Sequence, residues 1–340
     1  MTKRDIIVVG TSAGGVETLK TIVSGLPKDF PATVFVVMHM GVDSPGILSR
    51  ILQRSSAMPV VAARDKEKFR SGYIYVAPPD HHLLIERGQI CLTRGPKENR
   101  FRPAIDPLFR SAAYVYGPRV IGVVLTGGLD DGTAGLWSIK HLGGTSVVQD
   151  PNDALFPSMP TNALRYVEVD HTAPAAEIAP LLIELSATEV EVKGAYEVPE
   201  HLDVEVKIAK QEAGIDQDIR NLWERSSYTC PECHGVLLRL KEGGHERFRC
   251  HTGHAFSPDS LLAGLTEGVE ESLWTTIRYI EESVMLLRHM AKHVGKTDPA
   301  GAEEYTKKAD EAQRRADQVR QAVVRHEELN VERIEEGIEA

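Results

Sequence analysis

A chain of 340 residues exceeds what one compact core usually holds, so two or three folding units are expected. Hydrophobic residues at 42% and charged ones at 26% exclude a fibrous repeat, and exclude disorder over most of the length. The formal net charge of −10 is repelled by nucleic-acid phosphates and anionic lipid, so neither is an expected partner; the acidity belongs to residues 186–340, with 20 basic and 31 acidic side chains against 19 and 18 in residues 1–185.

The N-terminus enters a strand-like run at once, which leaves no room for a signal core. The longest apolar runs, 33–38 and 120–125, fall far short of the roughly 20 residues of a membrane span. A cytoplasmic protein without membrane insertion is expected. β-Branched runs at 6–9, 34–38, 60–63, 73–77, 120–125 and 145–149 alternate with helical stretches, the pattern of βαβ units. The runs 83–86 and 90–93, separated by Arg87-Gly88-Gln89, predict a hairpin appended to the sheet, which would make the sheet mixed. The fold class is therefore α/β, a doubly wound and mainly parallel sheet over residues 1–185. Residues 186–228, rich in Glu, Val and Lys with weak periodicity, predict a linker ending in a short helix at 219–224. A cysteine and histidine module follows at 229–257. Two helical patterns fill 258–340, with apolar stripes at Val269, Leu273, Ile277, Ile280, Val284 and Leu287, then at Tyr305, Ala309, Ala312, Ala316, Val319 and Val323. The short break at 295–299 predicts an antiparallel helical hairpin.

Gly10-Thr11-Ser12-Ala13-Gly14-Gly15 lies between a predicted strand and a predicted helix and matches the G-x-S-x-G nucleophile elbow. The bland reading, a phosphate-binding turn, lacks both the Lys-Ser/Thr of a P-loop and the G-x-G-x-x-G of dinucleotide sites. A serine hydroxyl needs a base to take its proton. His39 ends the second strand, so in a parallel sheet it shares a rim with Ser12; His81, His82, His141 and His171 sit in turns, a helix and a late loop. The base in turn needs a carboxylate, and Asp130 and Asp131 follow the strand at 120–125. Either acid could equally be a solvated turn or a helix cap. The chain order Ser, His, Asp disfavours the α/β-hydrolase superfamily.

These motifs, with Asn99-Arg100-Phe101-Arg102-Pro103, Asp106, Phe109 and Phe156-Pro157-Ser158-Met159-Pro160, resemble in order the catalytic domain of chemotactic methylesterases, the CheB family, across residues 5 to about 185. The resemblance implies Ser12 as nucleophile, His39 as base and Asp131, in preference to Asp130, as orienting carboxylate. It implies hydrolysis of glutamate γ-methyl esters on chemoreceptors, with methanol released and receptor glutamine deamidation as a second activity. No cofactor is expected for catalysis. Backbone N–H groups of Ala13, Gly127 or Gly128 are the oxyanion candidates. The resemblance departs at Gly128, where much of the family carries methionine, and at the N-terminus, where many relatives carry a receiver domain; phosphorylation control within this chain is not expected. The competing readings are a serine esterase for another acyl substrate and a non-catalytic signalling scaffold.

Cys230, Cys233, Cys250 and His254 supply a Cys3His set at zinc-ribbon spacing, with His251 as competitor for the fourth place. A structural Zn²⁺ without catalytic role is expected there. No disulfides are expected, and the tail is a candidate surface for a signalling partner.

Overall fold

Strand β1 (Ile6–Thr11) is buried along its whole length, because its alternate residues feed two different cores. Ile6 and Val8 face one side of the sheet, and Ile7 and Val9 face the other. The structure, a computed structural model, describes residues 2–190, 198–212, 223–242 and 245–325.

Around β1 lie β2 (Thr33–Met38), β3 (Val60–Ala62), β4 (Ile74–Val76), β7 (Val120–Val124), β8 (Thr145–Gln149) and β9 (His171–Ala173). They form a seven-stranded sheet in the order β9-β8-β7-β1-β2-β4-β3, parallel at every pairing. The chain leaves β1 toward β2 and later returns to its other side at β7, so a switch point opens at the carboxyl end of β1. Helices α1 (Gly15–Gly25), α2 (Leu48–Gln53) and α6 (Ala175–Ala187) cover one face with Leu19, Ile22, Leu52 and Leu182. Helices α3 (Ile105–Tyr116), α4 (Thr133–His141) and α5 (Ser158–Tyr166) cover the other with Leu108, Phe109, Leu136 and Met159.

Two expectations are corrected. The hairpin, β5 (His82–Glu86) and β6 (Gln89–Thr93), forms its own antiparallel pair and does not extend the large sheet, so that sheet is wholly parallel. Its edge is bound elsewhere: Ser111 Oγ on α3 accepts from the Ile85 N–H at 3.0 Å. The stretch expected as a linker contains α7 (Glu200–Ala209), whose Leu202 and Val206 join the α3-side core. A weak apolar period hid this helix, because its buried face includes Glu205, a charge buried against arginines far away in sequence. The short helix expected at 219–224 lies outside the described residues but for its last two, and Glu224 already begins a strand.

Strands β10 (Glu224–Thr229), β11 (Val236–Glu242), β12 (His245–Cys250) and β13 (Ala255–Phe256) form an antiparallel sheet in that order. Leu237, Phe248, Phe256 and Leu261 make its small core beside Cys230 and Cys250. The chain divides into two compact units, Met1–Leu261 and Leu262–Ala340, so this module belongs to the same unit as the parallel sheet and is not a separate body. Helix α8 (Pro258–Val294) enters the second unit at Leu262, and within that unit it runs antiparallel to α9 (Pro299–Val324): Glu281 pairs with Arg320, and Arg288 lies 3.5 Å from Asp310. Ile277, Val284, Ala309, Ala316 and Val323 are buried as the stripes predict, whereas Val269 is exposed. Among the described residues no helix is long and apolar enough to cross a membrane.

Candidate active site

Ser12 is the first residue past β1, and three strand ends are tied together around it. The Ser12 N–H and the Thr11 hydroxyl both donate to the Thr126 carbonyl, at 3.0 and 2.8 Å, and the His39 N–H donates to the Thr11 carbonyl at 3.1 Å. The turn into α1 needs its glycines for two separate reasons. Gly14 has φ +75°, a left-handed conformation that side chains resist, and a Cβ on Gly15 would sit 2.3 Å from Thr11 Oγ1.

His39 bridges the other two predicted residues. Its Nδ1 lies 3.1 Å from Ser12 Oγ and its Nε2 lies 2.6 Å from Asp131 Oδ2. The Phe101 ring stacks on the imidazole at 3.8 Å and 7°, which fixes the plane of the base. Asp131 is buried, and burial alone would push its carboxyl up; the His39 bond, the Ile105 N–H at 2.7 Å and the Asn99 amide at 2.9 Å outweigh that and hold it at about 2. An ionised carboxylate only accepts, so the proton sits on His39 Nε2 and the lone pair on Nδ1 faces the Ser12 hydroxyl. That arrangement allows His39 to take a proton from Ser12.

Asp130 points elsewhere: it accepts from Ser257 Oγ at 2.6 Å and lies 3.7 Å from His245 Nε2, with its carboxyl pushed well up by burial. Geometry thus separates two adjacent acids that spacing leaves equivalent. Asp106, behind Asp131, is pushed up to about 7 by burial and by the Asp131 charge. Next to it lies a buried ionic cluster. Arg110 pairs with Glu98 and Glu205, Arg247 with Glu205, and Arg249 reaches Glu98 at 3.0 Å and Glu205 at 3.1 Å. Burial opposes the charge on Glu98, but the three guanidinium groups prevail and bring it to about 2.

The oxyanion candidates do not survive equally. The Gly127 N–H donates to the Phe156 carbonyl at 3.0 Å, which removes it as a donor; the loop needs that bond to hold Phe156 beside Thr126. The N–H groups of Ala13 and Gly128 carry no hydrogen bond among the described residues. A Cβ on Gly128 would meet nothing within 4 Å, so a larger side chain has room there.

Ligand atoms of Cys230, Cys233, Cys250 and His254 all lie within 4.8 Å of one another. Cys233 Sγ is 3.6 Å from Cys250 Sγ, and His254 Nδ1 is 3.5 Å from Cys250 Sγ and 3.7 Å from Cys230 Sγ. A tetrahedral ion with Zn–S about 2.3 Å and Zn–N about 2.0 Å separates its ligands by roughly 3.5 to 3.8 Å, so these residues could hold such a metal. His254, not His251, completes the cluster. The Thr252 hydroxyl lies 2.9 Å from Cys250 Sγ, within reach to donate to a thiolate.

Spacing gives no role to Asn99, Phe101 or Glu205, although the first two stand in a visible motif. Their partners lie 32, 62 and 42 residues away along the chain, and only the fold supplies them.

Residues 7–182 match the CheB methylesterase family. A Leptospira interrogans protein, provisionally named protein-glutamate methylesterase/protein-glutamine glutaminase, is 42% identical over 188 residues, covering 55% of this chain and 97% of that one. The protein-glutamate methylesterase/protein-glutamine glutaminase of Thermotoga maritima is 36% identical over 184 residues, 53% of this chain and 54% of that one, so the match spans about half its length. The crystal structure of the Thermotoga maritima CheB methylesterase catalytic domain superposes with a TM-score of 0.52 at 36% identity, covering 54% of this chain and 99% of that domain.

Proposed function

The chain belongs to the CheB methylesterase family, and from that premise we propose that it hydrolyses glutamate γ-methyl esters on chemoreceptors with Ser12 as nucleophile, His39 as base and Asp131 as orienting carboxylate. The observation that carries the assignment is the single imidazole placed between Ser12 Oγ and Asp131 Oδ2, at 3.1 and 2.6 Å. Ser12 Oγ attacks the ester carbonyl as His39 Nδ1 takes its proton, and the same proton then leaves with methanol. Water, deprotonated by His39, hydrolyses the glutamyl ester on Ser12. Developing charge on the carbonyl oxygen is met by the N–H groups of Ala13 and Gly128, the candidates whose donors remain uncommitted. Deamidation of receptor glutamine follows the same path, with ammonia leaving in place of methanol.

The second part of the reading is a structural Zn²⁺ on Cys230, Cys233, Cys250 and His254 in a zinc-ribbon-like module. Three thiolates and one imidazole suit this ion, close its coordination and leave no place for substrate. Reduced thiols of this kind fit a cytoplasmic protein.

Methanol release from methylated receptor tests the first part. Wild-type protein should release it and Ser12→Ala should not; a Ser12→Ala protein with full activity would refute the assignment. Metal analysis of protein purified without chelator tests the second, and protein free of zinc would end that reading.

A further inference from the structure

Asn99 joins the C-terminal module to the carboxylate behind His39. Its amide is buried and every hydrogen-bonding position on it is used. Nδ2 donates to Asp131 Oδ1 at 2.9 Å and to Asp106 Oδ2 at 3.1 Å. Oδ1 accepts from the Ser257 N–H and the Ser260 hydroxyl, both at 3.0 Å. A backbone N–H can only donate, so Ser257 fixes which end of the amide faces Asp131.

The segment that makes these contacts is anchored at the Cys3His cluster. The Cys250 N–H donates to the His254 carbonyl at 3.0 Å, closing a knuckle whose Gly253 carbonyl accepts from Arg249 at 2.7 Å. Immediately past His254 the chain pairs with the loop that carries Asn99: the Ala255 N–H donates to Lys97 O at 3.2 Å, and the Asn99 N–H to Ala255 O at 2.8 Å. Only two residues then separate the last cluster residue from Ser257. A change in the knuckle therefore reaches Asn99 without an intervening flexible stretch.

We propose that the Cys3His module supports the active site from outside the methylesterase domain: the segment from Cys250 to Ser260 fixes Asn99, Asn99 fixes Asp131, and zinc occupancy sets kcat. Asn99 acts here as a positioning residue. This rests on the zinc and methylesterase readings above, and it goes beyond them by giving the extension a task in the reaction.

The test is a cycle on the full chain, with zinc bound or stripped by a chelator, for wild type, Ser260→Ala and Asn99→Ala. Methanol release gives kcat and KM, and metal analysis gives occupancy. Stripping zinc from wild type should lower kcat on the order of tenfold, the scale of one lost charge-assisted hydrogen bond, and leave KM within about twofold. Asn99→Ala should show a similar loss while keeping its zinc, and stripping it should cost little more, because both changes break the same link. Ser260→Ala, which deletes a single hydroxyl, should fall between, and it carries the cycle alone if thermal melting finds Asn99→Ala unfolded. Active, zinc-bearing wild type that keeps its kcat after stripping would overturn this proposal and leave the function intact, as would losses that simply multiply. Wild type that purifies without zinc would overturn the metal reading and this proposal with it.

Discussion

Gly127 and Gly128 are neighbours in sequence with opposite surroundings, and substituting each by alanine gives a test internal to one loop. A Cβ on Gly127 would stand 2.1 Å from Met159 Sδ and 2.8 Å from Ser12 Cβ. Met159 is buried, and the Gly127 N–H and C=O are both bonded, to Phe156 O at 3.0 Å and from Met159 N at 2.9 Å, so neither side can give way cheaply. Overpacking of this kind costs about 1–3 kcal/mol, and pushing Ser12 by an ångström costs on the order of a hundredfold in rate. A Cβ on Gly128 meets nothing within 4 Å, and Gly128 is not among the glycines with positive φ. Alanine there should stabilise by about 0.4–1 kcal/mol by restricting the unfolded chain. Urea unfolding and methanol release on the two variants should therefore separate them by roughly 1.4–4 kcal/mol in stability, with nearly all the activity loss in Gly127→Ala. Equal destabilisation by both, or a Gly127→Ala protein of wild-type kcat, would refute the packing argument.

Asp131→Asn should leave the fold intact yet lower kcat by about 10⁴, because an amide does not hold His39 in the tautomer that faces Ser12; a loss under tenfold in steady-state assays would contradict the role given to Asp131. Arg247→Met should destabilise by about 3 kcal/mol in urea, since it removes one partner of the buried Glu205 and leaves that charge poorly compensated. Asp131 and Glu98 are held at about 2, below the ordinary carboxylate values, so their contribution to stability is complete above about pH 4.5 and is lost as pH falls toward 2. Asp106, pushed up to about 7, has the opposite sign: its contribution is present below about pH 4 and is lost as pH rises through 7. Urea midpoints should therefore peak at about pH 4 to 4.5, and midpoints that keep rising as pH falls from 4 to 2 would contradict the signs.

Much of the site was legible from residue order. Glycine-flanked Ser12, His39 at a strand end and acids after the strand at 120–125 all sit where a parallel sheet gathers its carboxyl ends, and period-two apolar runs are enough to place those strands. Local spacing likewise gathered the four metal-ligand candidates, which lie in two short knuckles of one small sheet. Other features depend on residues brought together from far apart. Asp130 and Asp131 are indistinguishable until α3 presents the Ile105 N–H to one of them and Ser257 presents its hydroxyl to the other. Gly127 looks as available as Gly128 until Phe156 takes its N–H. Residues 200–209 look like linker until Arg247 and Arg249 neutralise Glu205 and allow the helix to be buried.

The amino-acid sequence by itself determined the strand ends, the nucleophile turn and the metal-ligand spacing of this protein, because each rests on local periodicity or on a few neighbouring residues. Spacing alone leaves Asp130 and Asp131 equivalent, and the tertiary structure is what hydrogen-bonds Asp131 to His39, leaves the Ala13 and Gly128 donors uncommitted and brings the C-terminal module to Asp131 through Asn99. Those outcomes depend on burial and on hydrogen bonds between residues up to 161 positions apart, and no local pattern encodes them.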